Sequence, residues 1–169
     1  MYLHWNEMTI RRLTAADNAR IAEIARGNLK KFHLDLPGTA YFDPELDHLS
    51  TYYDAAPERR AYFVAADPRG RVVGGVGAAE FDGSAHCAEV QKLYLTDAAK
   101  GRGLGRELMR VIEDFARRAG YRQLYLETHT NLTAAIHLYE RMGFQLHESY
   151  MEDEIGGMPV REVQYRREI

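Results

Sequence analysis

Between positions 100 and 106 the chain reads Lys100-Gly101-Arg102-Gly103-Leu104-Gly105-Arg106, three glycines interleaved with three cations. The apolar residues that follow, Leu104, Leu108, Val111, Ile112, Phe115 and Ala119, recur at spacings of three and four, which predicts an amphipathic helix ending at Gly120. The first peptide N–H groups of such a helix have no partner within it, and its dipole favours negative charge at that end. Glycine lets the backbone come close to a phosphate, and Lys100, Arg102 and Arg106 add positive charge around it. This is the chemistry of diphosphate binding, although the same residues also suit a plain turn. A dinucleotide fingerprint needs glycine where Arg106 stands, even though Glu127 lies at a suitable distance for a ribose-binding acid. A P-loop needs lysine and a hydroxyl residue where the chain has Arg106-Glu107. Neither register fits.

The other groups able to do chemistry lie on either side of this stretch. Glu89 and Glu127 sit on segments that read as strands, and strand carboxylates serve either as bases or as members of structural pairs. Asn131 and Tyr139 are eight residues apart, about two helical turns, so both can line one side of a helix. Asn131 also suits an N-cap, and Tyr139 beside Leu138 also reads as a core aromatic. The lone Cys87 has no evident activating neighbour and reads as a small buried residue. Seven histidines are scattered without the His-Glu-x-x-His spacing of a zinc hydrolase, so no metal is expected.

The glycine stretch resembles the acyl-CoA-binding motif of the GCN5-related N-acetyltransferase (GNAT) superfamily, Gln/Arg-x-x-Gly-x-Gly/Ala, with Lys100, Gly103 and Gly105 at its defined positions. Lysine in place of glutamine or arginine is a departure that keeps a donor. Asn131 and the segment Leu138-Tyr139-Glu140-Arg141-Met142-Gly143-Phe144 resemble a second motif of that family, Leu-Tyr-Glu-x-x-Gly-Phe, and the likeness extends over nearly the whole chain. The resemblance implies acetyl-CoA as cosubstrate, held by residues 100–106, by Asn131 and Tyr139, and by the backbone of Leu93, Tyr94 and Leu95 on a strand that splays from its neighbour. It further implies that a strand amide polarises the acyl carbonyl and that the substrate amine attacks directly, without an enzyme nucleophile. Because an amine is mostly protonated at neutral pH, a base is needed. Glu89 is the first candidate for that base, and Glu127 is the second or a site for a cationic substrate group. Tyr139 is the implied general acid towards the departing thiolate.

These residues need a scaffold. Alternation in Met8–Leu13 predicts a strand, Thr14 and Asp17 open a helix running to about Lys31, and Asp43-Pro44 opens a short helix through Tyr53. Strands are expected at 61–66 and 71–81, joined by the turn Asp67-Pro68-Arg69-Gly70, and at 88–95. After the long helix come a strand at 121–127, a helix at 131–142, and strands at 143–150 and 160–166 around Gly156-Gly157. Gly74, Gly75 and Gly77 are costly inside a strand unless a bulge or a close contact uses them. The order implies an α/β (α+β) fold, a mixed sheet covered by helices. With the resemblance it becomes a GNAT-like single domain over residues 1–169, a mostly antiparallel sheet of about seven strands with about four helices.

At 169 residues and 46% hydrophobic, the chain can build one sizeable core. A net charge of -3 gives no basic excess for nucleic acid, and no apolar run approaches the roughly 18 residues that span a bilayer. One cysteine and the absence of a leader pattern predict a cytoplasmic protein. The expected partner is a small-molecule amine, with a homodimer compatible with the sequence. The family builds its acceptor site from the first helices and the closing strands, which here supply His33, Asp35, Tyr41, Tyr52 and Tyr53, with Glu152, Asp153 and Glu154 in a late loop. Amino acids, polyamines, aminoglycoside-like drugs and protein amino groups all fit such a site. A noncatalytic acyl-CoA-binding module is the rival reading.

Overall fold

A computed structural model of the chain describes residues 3–81, 85–155 and 158–169, of which 148–155 and 158–161 are described through their backbone alone. The alternating segment becomes β2 (Met8–Arg12), and the residues ahead of it form a strand that the sequence did not announce, β1 (Leu3–Trp5). The two pair antiparallel through a turn at Asn6 and Glu7, both with positive φ and neither a glycine, which is why no turn signal was visible. Thr14 donates from its N–H and its hydroxyl to Asp17 Oδ2 at 2.8 and 3.1 Å, and Arg11 grips the same carboxylate at 2.7 and 3.0 Å. A short 3-10 turn there leads into α1 (Asn18–Lys31), which turns Ile21, Ala22, Ile24, Ala25 and Leu29 inward. Asp43 caps a further 3-10 turn, Pro44–His48, and this runs into α2 (Leu49–Asp54).

The hairpin forms as expected from β3 (Ala61–Ala66) and β4 (Val72–Glu80), followed by β5 (Cys87–Leu95) and α3 (Leu104–Arg118). Then come β6 (Gln123–His129), α4 (Thr133–Arg141), β7 (Gln145–Ile155) and β8 (Met158–Glu168). Eight strands thus replace the expected seven among the described residues, in the order β1-β2-β3-β4-β5-β6-β8-β7. Neighbours are antiparallel except β5 and β6, which are parallel. One face carries α1 and α2 over a core that includes Ile21, Leu49, Tyr53 and Tyr62. On the other face, Leu104, Leu108 and Ile112 of α3 and Tyr139 of α4 pack against Val76, Val90, Leu124 and Leu126.

Several boundaries move. The strand expected at 121–127 runs from Gln123 to His129, so Glu127 lies inside it. Gly120 takes a left-handed φ of 90°, and the buried Tyr121 ring lies under the Arg59 guanidinium, 4.0 Å from its centroid. The helix placed at 131–142 begins at Thr133; Leu132 precedes it, and Asn131 does not cap it. Glu152, Asp153 and Glu154 belong to β7, paired with residues 159–161 of β8, rather than to a loop. The turn at Gly156-Gly157 lies outside the described residues.

Candidate functional site

The site begins where two strands part. Parallel pairing of β5 with β6 covers only Cys87↔Gln123, Ala88↔Leu124 and Glu89↔Tyr125. Beyond that point β5 continues against β4 as far as Leu95, and β6 continues against β8 as far as His129. The backbone of β5 after Glu89 therefore has no strand partner on its β6 side. A bulge completes the arrangement: Lys92 takes a left-handed φ of 52°, and the register shifts between Gly75 and Gly77 of β4. The extra residue reverses the alternation, so Leu93 and Leu95 join the α3 core while Tyr94 packs towards α2. The buried Tyr62 hydroxyl donates to the Lys92 carbonyl at 2.7 Å and fixes the bulge.

The glycines of β4 serve this packing. A Cβ on Gly75 would stand 2.4 Å from the Tyr62 ring, and one on Gly77 would stand 2.3 Å from the Tyr53 hydroxyl. On Gly74 it would meet Leu95 at 2.4 Å. The close-contact reading of these glycines holds.

The glycine stretch is the connection from β5 to α3. Gly101 and Gly103 have φ of 75° and 85°, and Gly103 is the residue just before the helix, so the free N–H groups of α3 are presented at the end of the parted strand. Gly105 lies beneath: a Cβ there would come within 3.3 Å of Leu138 on α4. Lys100 is less free than its motif position implies. Its ammonium lies 3.1 Å from Asp97 Oδ1, an oxygen shared with Lys31 at 3.1 Å, and 5.5 Å from the Phe32 ring centroid. Arg102 and Arg106 are exposed.

Three buried polar atoms lack partners among the described residues, Arg166 Nε on β8 and two that lie just past the ends of the parting strands, Thr96 Oγ1 after β5 and Asn131 Oδ1 after β6. The Asn131 amide donates instead to the Phe32 carbonyl at 2.9 Å, which bridges the residues after α1 to those before α4. Asn28 donates to the Leu95 carbonyl at 2.7 Å, so one backbone group of the expected arm site is already engaged. A diphosphate with an amide-bearing arm fits these features, since the loop offers N–H groups and Asn131 offers a buried acceptor between the strands.

The two candidate carboxylates meet at the parting point. Glu89 ends the paired stretch of β5, and Glu127 lies two residues beyond its partner Tyr125 on the same face of β6. Burial holds the Glu89 carboxyl above the usual range, and the neighbouring Glu127 adds to this, against a hydrogen bond from Gln91. Gln91 donates to Glu89 Oε1 at 2.6 Å and accepts from Tyr53 Oη at 2.7 Å. Glu127 is exposed and accepts from Tyr125 Oη at 2.6 Å. Tyr125 stacks on Phe81 with centroids 3.9 Å apart, and the Arg166 guanidinium lies 5.1 Å from its ring centroid.

Tyr139 is buried against Phe144, 5.9 Å between ring centroids, and burial, with Tyr94 second, pushes its phenol well up. The Tyr94 phenol is pushed up to about 12, by burial first and by Asp43 second. Burial also raises the Cys87 thiol, which agrees with a bystander. Of the expected acceptor residues, Tyr53 reaches Glu89 through Gln91, and Tyr52 flanks it edge-on at 5.0 Å. His33 and Tyr41 lie in the connection after α1, with His33 exposed.

Sequence reasoning missed Gln91, Thr96 and the half-buried His129, whose imidazole is pushed down by burial. Gln91 had a signal, since it stands two residues from Glu89 on a strand and therefore shares its face.

Residues 29–144 match the family model described as the Acetyltransferase (GNAT) family. YjgM of Escherichia coli K12, named an uncharacterized N-acetyltransferase, is 38% identical over 138 residues, covering 80% of this chain and 81% of that protein. The N-alpha-acetyltransferase RimI of Mycobacterium tuberculosis is 35% identical over 140 residues, covering 82% and 78%. Among solved structures, yncA of Salmonella typhimurium, determined with its cofactor acetyl-CoA, superimposes with a TM-score of 0.77 at 25% identity, covering 96% of this chain and 94% of that one.

Proposed function

The chain belongs to the acetyltransferase (GNAT) family and is an acyl-CoA-dependent N-acetyltransferase, and from that premise we propose that its acceptor is the primary amine of a small molecule or amino acid. The observation that carries this reading is a pair of carboxylates, Glu89 and Glu127, at the point where β5 and β6 part. Two carboxylates suit a cationic acceptor such as a small primary amine. The whole chain, residues 1–169, acts as one transferase domain.

In this reading acetyl-CoA supplies the activated acyl group, and its diphosphate lies on the N–H groups of residues 101–106, with Lys100, Arg102 and Arg106 around it. The backbone of Leu93, Tyr94 and Leu95 orients the pantetheine arm, and Asn131 Oδ1 accepts from it. Glu89 takes the proton of the bound ammonium, directly or through one water, and frees the lone pair for attack. Glu127 holds the positive end of the acceptor beside it. Tyr139 keeps its proton and donates a hydrogen bond to the departing sulfur.

The relative named N-alpha-acetyltransferase favours a second reading, a protein N-terminus as acceptor. One experiment separates the two: release of the CoA thiol from acetyl-CoA, measured against amino acids, polyamines, aminoglycosides and short peptides with free N-termini. Turnover concentrated on the small amines is expected. A peptide used tenfold more efficiently than every small amine overturns the proposal.

A further inference from the structure

Glu89 does not stand alone in the cleft wall. We propose that Gln91, held in one orientation by Tyr53, is the positioning residue for Glu89, aiming its carboxylate into the cleft and setting the pH at which it takes up a proton. This rests on the reading of Glu89 as the base.

The geometry is a chain of two short hydrogen bonds, Tyr53 Oη to Gln91 Oε1 at 2.7 Å and Gln91 Nε2 to Glu89 Oε1 at 2.6 Å. A glutamine amide presents either its oxygen or its NH2 to a given neighbour, and only its partners decide which. Tyr53 is 3% exposed and burial pushes its phenol well up, so it holds a proton to donate. That proton calls for the amide oxygen, and the NH2 is then turned towards Glu89. Reversing the amide would set Oε1 against the carboxylate, two acceptors facing one another, an arrangement tolerable only with Glu89 protonated.

The sheet is built to allow this chain. Gly77 is the residue opposite Gln91 in the β4–β5 register, and its missing Cβ is the space that the Tyr53 hydroxyl occupies. The bulge at Lys92 follows immediately, so Gln91 is the last side chain of β5 on the Glu89 face before the alternation reverses. Other groups also act on Glu89. Glu127 from β6 raises its pKa and Lys92 lowers it, while Tyr52 and Tyr53 of α2 and Cys87 of β5 stand near enough to feel its charge. None of these is removed when Gln91 is replaced by a leucine of similar size.

The test is a pH titration of the Glu89 carboxyl in the free protein, followed by NMR with 13C-labelled glutamate and identified by its loss in Glu89→Gln. It is paired with kcat/KM against pH for the fastest amine of the acceptor panel. A hydrogen bond donated to a carboxylate favours its charged form, so Gln91→Leu is expected to raise the Glu89 midpoint and the acid limb of kcat/KM together, by about one pH unit. Tyr53→Phe gives a smaller rise in the same direction, and serves as the second readout if Gln91→Leu does not fold. The acceptor's own ionisation appears in every profile and cancels between variants. If Glu89→Gln abolishes turnover while the midpoint and limb stay in place in both other variants, the positioning role is overturned and the base stands. If Glu89→Gln keeps its turnover, the base reading itself fails, and the positioning role fails with it.

Discussion

Burial pushes Glu89 and Tyr139 in the same direction, yet the roles proposed for them ask opposite things. A raised carboxyl pKa means that Glu89 is protonated, and useless as a base, over more of the acid range than an ordinary glutamate. With Glu89 as base, kcat/KM climbs with pH through an acid limb lying above the usual glutamate value. Glu89→Gln is expected to remove that limb and lower kcat by about a hundredfold or more, checked by full pH profiles. An unshifted limb in the variant would assign it to another group. For Tyr139 a raised pKa is no handicap, because a phenol that never ionises in the working range is always a donor. Tyr139→Phe is therefore expected to lower kcat by about 10- to 100-fold, with the acetyl-CoA dissociation constant within about twofold, read by single-turnover kinetics and calorimetry. Equal kcat would leave Tyr139 as a packing residue against Phe144. These two were visible in the sequence by type and motif. Gln91 was overlooked because an uncharged amide announces nothing until its partners, Tyr53 and Glu89, are brought to it by separate elements.

At the scale of elements, the loop from β5 to α3 depends on glycines held at positive φ. Gly103→Val forces a β-branched side chain into the left-handed region at a cost of about 1–2 kcal/mol or more, although its Cβ would make only ordinary contact with Trp5 at 3.6 Å. Acetyl-CoA affinity is expected to fall at least about tenfold, by calorimetry, and full affinity would show that the diphosphate binds elsewhere. Gly77 makes a different demand. A Cβ there overlaps the Tyr53 hydroxyl, so Gly77→Ala is expected to destabilise the fold by about 1–3 kcal/mol, and adding Tyr53→Phe to recover part of the loss. Denaturant unfolding of both variants reads this directly, and additive losses would deny the contact. The same contrast decides what could be read in advance. Helix α3 was legible because its apolar spacing is local and its buried face is continuous, from Leu104 through Ala116. β1 was not, since three residues and a turn without glycine leave no periodic signal. The bulge was half legible: the glycines of β4 pointed to one, and the register does shift between Gly75 and Gly77, but Lys92 opposite takes a conformation that its residue type disfavours, held by a hydrogen bond from Tyr62 on another strand. The parting of β5 from β6 came from the family resemblance; no pattern within either strand states where their pairing ends.

Across the whole molecule, that parting leaves a sheet in two pieces, five antiparallel strands and the group β6-β8-β7, joined edge to edge by only three register pairs. So short a seam leaves the β6 side of β5 without a strand partner after Glu89, and the helices must supply the cohesion that the seam lacks. Helix α3 packs on the first piece, against β3, β4 and β5. Its Glu113 is 8% exposed and reaches across to the second piece, bonding Arg167 of β8 at 2.5 Å while Arg117 one turn on holds its other oxygen. Removing this carboxylate leaves the partly buried Arg167 without its partner, while the half-exposed Arg117 can turn to water, a change that costs more than losing an exposed ion pair. Glu113→Ala is expected to destabilise the protein by about 3 kcal/mol, roughly 6–12 °C in Tm for a chain of this size. A paired Glu113→Leu, Arg167→Met variant removes both charges of the strap and should regain much of that loss. Glu113 bonds Arg117 and Arg167 and none of the proposed catalytic groups, so kcat of the folded single variant, measured well below its Tm, should stay within about twofold while acetyl-CoA raises its Tm by ligand linkage. A Tm change under about 2 °C would mean that the two pieces are held by packing alone, and that the ion pair between α3 and β8 is a surface ornament.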